Sequence, residues 1–177
     1  MADTSSRLYV YKLTTDNGGA PCIQRGLLSL AICKPSIRRK AQENDWISGF
    51  GGTGLGNRLI YIARVTQHLE NGSYYVSLAY SDRADRIYRR EPGGYVVRKG
   101  AKYHSTGGEL EHDLGKHPKY RSAVTLLSDD FRYWGERGTS AYRERYPAVA
   151  VLLGRLTART SSKPDGCGTT ATDRPST

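Results

Sequence analysis

The sequence predicts an α+β fold that is mostly β: a small barrel or strongly bent sheet carrying a few short helices. Its apolar runs are short and rich in β-branched and aromatic residues. Clusters of glycine, proline, asparagine and aspartate break them at close intervals. One strand–glycine loop–strand pattern over residues 45–66 reads as a hairpin and is the clearest organisational signal in the chain.

The first strand is Leu8-Tyr9-Val10-Tyr11-Lys12-Leu13, ended by the loop residues Asp16-Asn17-Gly18-Gly19-Ala20-Pro21. Residues 27–33 form a short apolar run that favours a buried strand, with a short helix as the alternative. Lys34-Pro35 stops it, and Ile37-Arg38-Arg39-Lys40-Ala41 is a basic patch on a turn or single helical turn. Asp45-Trp46-Ile47-Ser48-Gly49-Phe50 is the next strand, followed by a loop bearing Gly51, Gly52, Gly54 and Gly56. In residues 58–66 alternation puts Leu59, Tyr61, Ala63 and Val65 on one face and Arg58, Ile60, Ile62 and Arg64 on the other.

Residues 73–80 fit either period, with a short helix preferred, and residues 81–90 are densely charged. Pro92-Gly93-Gly94 turns into the strand Tyr95-Val96-Val97-Arg98. Residues 99–119 read as one long loop, bearing His104, His112, Asp113 and His117. Such loops in compact domains are functional or disordered. Residues 122–127 form a strand, Ser128-Asp129-Asp130 a turn, and Phe131-Arg132-Tyr133-Trp134-Gly135 an aromatic cluster. Thr139 or Ser140 is placed to cap a helix with Tyr142, Tyr146, Val149 and Leu153 near one face, which Pro147 interrupts or restarts. The chain divides into a short disordered start (1–6), one domain (7–157) and a disordered tail (158–177) too poor in apolar residues to order itself.

The 177 residues carry 27 Lys+Arg against 17 Asp+Glu, a net charge of +10 that attracts polyanions at low salt. Thirteen tyrosines against two phenylalanines supply flat faces with hydroxyls, which suit both base stacking and half-buried strands. Three cysteines, Cys22, Cys33 and Cys167, without CxxC spacing argue against a secreted disulfide framework. There is no leader-like N-terminus and no apolar run of membrane-spanning length, so a cytoplasmic protein is expected.

Several segments carry candidate chemistry. The glycine loop offers backbone N–H groups that can cradle phosphate, although it matches neither a P-loop nor a dinucleotide fingerprint. The run Asp82-Arg83-x-Asp85-Arg86 offers acids for proton transfer and arginines for phosphate, or an internal salt-bridge ladder. The histidine and cysteine spacings match no zinc ligand pair, so no metal and no cofactor are expected. Cys33 lies beside Lys34, Arg38 and Arg39, whose charges favour a thiolate; a small buried hydrophobe is the alternative. Asp113 suits a histidine partner, but beside His112 on an extended chain it faces the other way.

Taken together, Tyr11-Lys12, Asp16-Asn17-Gly18-Gly19-Ala20-Pro21, Leu30-Ala31-Ile32-Cys33-Lys34-Pro35 and Asp45-Trp46-Ile47-x-Gly49-Phe50-Gly51 resemble a known family. So do Asn57-Arg58-Leu59-Ile60-Tyr61-Ile62-Ala63, Asp85-Arg86-Ile87-Tyr88 and Leu126-Leu127-Ser128-Asp129-Asp130-Phe131-x-Tyr133-Trp134-Gly135. Their order is similar to the second family of nucleotide modification associated domains. That resemblance implies a role in DNA base hypermodification in phages or bacteria. The central hairpin also resembles PUA-like domains such as EVE, ASCH and YTH, which implies a small curved barrel holding a base in a pocket.

Two functions follow as expectations. In the first, the domain binds nucleic acid or a nucleotide, with DNA the expected polymer, and recognises a modified or extruded base. Trp46, Phe50 and Tyr61 would stack; Lys34, Arg38, Arg58, Arg86, Gly51 and Gly52 would hold phosphate; Asp82 or Asp85 would read the base edge. In the second, it is an enzyme that makes or removes a base modification, with Cys33, Asp85, His104, His112 and Asp129 as candidate catalytic groups. A phage or defence module that binds another protein is a third reading. Geometry separates the first two: a binder needs aromatics converging on one pocket, an enzyme needs ionisable side chains within hydrogen-bond reach of each other.

Overall fold

Strand alternation builds a sheet with a core on each side in the computed structural model, which describes residues 6–151 and 153. In β1 (Leu8–Leu13), Tyr9, Tyr11 and Leu13 enter one core while Val10 enters another. β1 pairs in parallel with β4 (Trp46–Gly51), which pairs antiparallel with β5 (Leu59–Arg64), itself paired with β10 (Asp130–Tyr133). A register shift at Gly49/Phe50 skips one residue of β5. Ile60 and Tyr61 therefore both enter the inner core, while Leu59 packs on the outer one, off the face that simple alternation assigns it. A Cβ on Gly49 would sit 2.3 Å from the Tyr61 ring, so glycine is required there by packing.

The second sheet has the order β2-β3-β9-β6, from β2 (Cys22–Gln24), β3 (Leu27–Leu30), β9 (Thr125–Ser128) and β6 (Gln67–Leu69). Leu28, Leu30 and Leu126 meet Tyr9, Tyr11 and Ile47 of the first sheet in the inner core. Both sheets are open, with unpaired edges at β1 and β10 and at β2 and β6. The architecture is thus α+β and mostly sheet, but the strands do not close into a barrel. The separate hairpin of β7 (Tyr88–Glu91) and β8 (Gly94–Val97) supports a tyrosine-rich cluster with α2 (Ser73–Val76).

Residues 99–119 are not one loop. They contain α3 (Gly107–Leu114), started by a capping box in which the Thr106 side chain accepts from Glu109 N–H and Glu109 reaches back to Thr106 N–H. α3 packs against α1 (Pro35–Lys40). Neither Thr139 nor Ser140 caps α4 (Tyr142–Arg145) with its side chain; Ala141 precedes the helix, and a second helical stretch begins at Pro147. Tyr142 and Leu153 pack against Phe50 and Val10. Residues 1–5 and the expected tail at 158–177, with Cys167, lie outside the described residues. Among the described residues no helix is long and apolar enough to cross a membrane.

Candidate active site

The apolar run that ends in β3 continues through the fully buried Ala31 and Ile32 and stops at Cys33. The chain turns there into α1 through two consecutive left-handed residues, Cys33 at φ 56° and Lys34 at φ 46°. Neither is glycine, so each costs on the order of 1–3 kcal/mol of backbone strain. Hydrogen bonds hold the turn from both sides: Cys33 N–H donates to Asp113 Oδ1 at 2.7 Å, and Arg38 Nε donates to Cys33 C=O at 2.7 Å.

The Thr106 cap fixes where α3 begins, with His104 just ahead of it and the buried Asp113 in the last turn. His104 Nδ1 lies 2.6 Å from Asp113 Oδ2, and His104 Nε2 lies 3.5 Å from Cys33 Sγ. Tyr88 OH donates to the same Asp113 Oδ2 at 2.6 Å. Burial pushes the Asp113 carboxyl up. The hydrogen bonds from His104 and Tyr88 and the charges of His104 and Arg38 outweigh it, so the carboxyl is held below the usual carboxylate range. An ionised Asp113 draws the imidazole proton to Nδ1 and leaves Nε2 facing the thiol as an acceptor. The chain carboxylate–imidazole–thiol has the connectivity of a nucleophilic triad.

Arg38 is the keystone beneath it. Its guanidinium is fully buried and donates to Cys33 C=O, Asp113 C=O at 2.6 Å, Ser122 C=O at 2.7 Å and Val124 C=O. One planar fork thus ties the Cys33 turn to the helix that carries Asp113.

Cys33 and His104 line a cavity of about 500 Å³, with Tyr11, Lys12, Lys34 and Tyr103 among its other walls. Lys34 is only 4% exposed, and its Nζ lies 5.0 Å from the centre of the Tyr11 ring. No carboxylate pairs with it among the described residues. Lys12 also faces the cavity, and burial pushes its ammonium down. The Tyr103 ring lies flat on Gly19, where a Cβ would come within 2.9 Å of it. The site therefore brings a thiol, an imidazole and two lysine ammoniums to one cavity, which Glu109 also lines.

The donor atoms of Cys33, His104 and Asp113 lie within 4.8 Å of one another, close enough to enclose a metal ion. Both Asp113 oxygens are already engaged, and His104 presents one nitrogen to the carboxylate and the other to sulfur. That linear order suits proton transfer better than convergence on one ion.

A family model described as nucleotide modification associated domain 2 matches residues 5–145, which include Cys33, His104 and Asp113. The chain belongs to this family. No curated protein and no solved structure matches it.

In this nucleotide modification associated domain, two of the residues singled out from sequence as catalytic, Cys33 and His104, come together. Asp113 completes the set: on a helix, and not on the extended chain expected there, it faces His104. The Thr106-x-x-Glu109 capping box was the signal that the segment is helical. Asp85 lies elsewhere. It is fully buried, accepts from Ser29 Oγ and from Tyr74 OH at 2.6 Å, and has Arg83 Nε at 3.6 Å. Its environment is the internal ladder, and it does not line the Cys33 cavity. His112 and Asp129 are exposed and apart from the triad.

The expected base-stacking and phosphate-holding group is not assembled in this domain. Phe50 packs in the outer core and Tyr61 in the inner one, where its hydroxyl meets Tyr11 OH at 2.9 Å; Trp46 is half-buried at the start of β4. The glycine loop spends the N–H groups of Gly51 and Gly52 internally: Gly51 N–H donates to Arg58 C=O and Gly52 N–H to Leu13 C=O. Arg38 is internal, Arg86 holds Tyr75 C=O, Arg58 holds Arg137 C=O, and Asp82 pairs with Arg25 on the surface. Of that group, only Lys34 faces the cavity.

Proposed function

We propose that this domain is a thiol-dependent enzyme that makes or removes a modification on a nucleobase or nucleotide. Cys33 is the nucleophile, His104 the general base and then acid, and Asp113 the residue that orients His104. The carrying observation is the Cys33–His104–Asp113 chain, at 3.5 and 2.6 Å, opening on one cavity. Two ionisable groups in hydrogen-bond reach favour an enzyme over a simple base-binding pocket, whose aromatics would have to converge.

In the step proposed, His104 Nε2 takes the Cys33 proton. The thiolate attacks an electrophilic carbonyl or amidine carbon of the substrate, and a carbon–sulfur bond forms as the leaving amine or alcohol departs with the proton from His104. Water or an acceptor amine, deprotonated by His104, then displaces the thiolate and releases Cys33. Lys34 holds an anionic group of the substrate, consistent with a phosphate of a nucleotide.

Nucleoside mass spectrometry of DNA from cells expressing the wild type or Cys33→Ser tests this reading. A modified nucleoside should appear or vanish with the wild type and stay unchanged with the variant. Identical profiles from wild type, Cys33→Ser and cells without the protein would overturn it.

A further inference from the structure

A second depression, of about 350 Å³, lies beyond the far end of α1 and is walled by Arg39, Lys116, His117, Lys119 and Arg121. No acidic residue lines it. Lys116 has Glu111 at 3.7 Å, whereas Arg39, Lys119 and Arg121 are exposed and have no carboxylate partner among the described residues. Arg39, Lys119 and Arg121 share one concavity with Lys116, where like charges repel, and these three have no carboxylate partner among the described residues to offset that repulsion. An anionic partner would relieve that repulsion.

The cleft and the triad share one scaffold. The buried Arg38 guanidinium holds Cys33 C=O with one nitrogen and Ser122 C=O, on the cleft wall, with another. Gly115 of the cleft follows Asp113 by two residues. α1 separates the sites: Cys33 lies just before it and Arg39 in its last turn. Six residues at about 1.5 Å each span about 9 Å, the axial length of two to three stacked nucleotides at about 3.4 Å.

The chemistry of the walls differs from that of the Cys33 cavity. That cavity has a buried cation, suited to one fixed anion. The cleft has exposed cations from two segments, Arg39 on α1 and Lys116, Lys119 and Arg121 after α3, which suit the distributed charge of a backbone. We propose that the cleft takes the phosphodiester backbone of a polynucleotide, so that the substrate is polymeric. That its target base enters the Cys33 cavity rests on the function proposed above.

Fluorescence anisotropy of a labelled single-stranded oligonucleotide, titrated with the full chain at several salt concentrations, tests it. Arg39→Ala/Lys119→Ala/Arg121→Ala should weaken binding about tenfold or more and lower the log–log salt slope by about 2, at roughly 0.7 per lost phosphate contact. The exposed pair Arg89→Ala/Arg90→Ala on β7 should change neither, and circular dichroism should report an intact fold for both variants. The proposal is overturned if the triple variant keeps the wild-type affinity and slope, if the β7 pair weakens binding equally, or if a mononucleotide displaces the oligonucleotide at equal phosphate concentration. Cys33→Ser should bind the oligonucleotide like the wild type, so failure of the thiol chemistry and failure of the cleft are read separately.

Discussion

Single residues divide the chemistry of this domain sharply, and the cysteines show how. Cys33 lines the cavity beside an imidazole, whereas Cys22 is 3% exposed and burial, with Asp85 nearby, pushes its thiol up to about 11. In a Cys167→Ser background, iodoacetamide at neutral pH should therefore alkylate Cys33 and spare Cys22, as read by peptide mass spectrometry. Asp113→Asn should slow that alkylation by up to about 30-fold, because an unassisted thiol is only a few per cent thiolate at neutral pH. Equal labelling of both cysteines, or an unchanged rate in Asp113→Asn, would count against the triad. Lys34→Gln should slow the alkylation less than Asp113→Asn does, while raising the concentration of anionic substrate needed for half-maximal rate.

At the scale of elements, the site depends on two short helices and the guanidinium between them. Thr106→Ala removes the side-chain acceptor that starts α3 and should cost about 1 kcal/mol in urea denaturation. Because His104 precedes that cap, alkylation of Cys33 should slow in the same variant. Arg38→Met leaves four buried backbone carbonyls without their donor and should cost about 3–5 kcal/mol. The glycine hairpin was legible from sequence as a hairpin, but its glycines serve packing: Gly49 admits the Tyr61 ring and Leu13. The loop expected over 99–119 concealed α3, because its mean polarity and its glycines masked a helix of two turns.

For the whole molecule, two buried carboxyls give opposite pH signatures. Asp113 is depressed in the folded state, so the stability it adds is complete above its unfolded value near 3.9 and is lost as pH falls through the lower folded value. Asp85 is raised, by burial that its hydrogen bonds and Arg83 only partly offset, so its contribution is lost as pH rises from about 3.9 through the folded value. Urea midpoints measured across the acid range should show the gap between wild type and Asp113→Asn shrinking on acidification, and the gap between wild type and Asp85→Asn widening. Parallel behaviour of the two variants would contradict these assignments.

The sequence by itself determined the α+β, mostly sheet character, the strands flanking the glycine hairpin and the family, and it singled out two residues that meet in the candidate site, Cys33 and His104. These depend on local alternation, turn residues and residue type, which neighbours in the chain decide. Only the tertiary structure decided that the sheets stay open, that Asp113 rather than Asp85 meets His104, and that Arg38 and Arg83 are internal props. Each of these depends on partners dozens of residues away. Whether a buried charge becomes a prop or a site depends on whether those partners use up its hydrogen bonds or leave it facing a cavity.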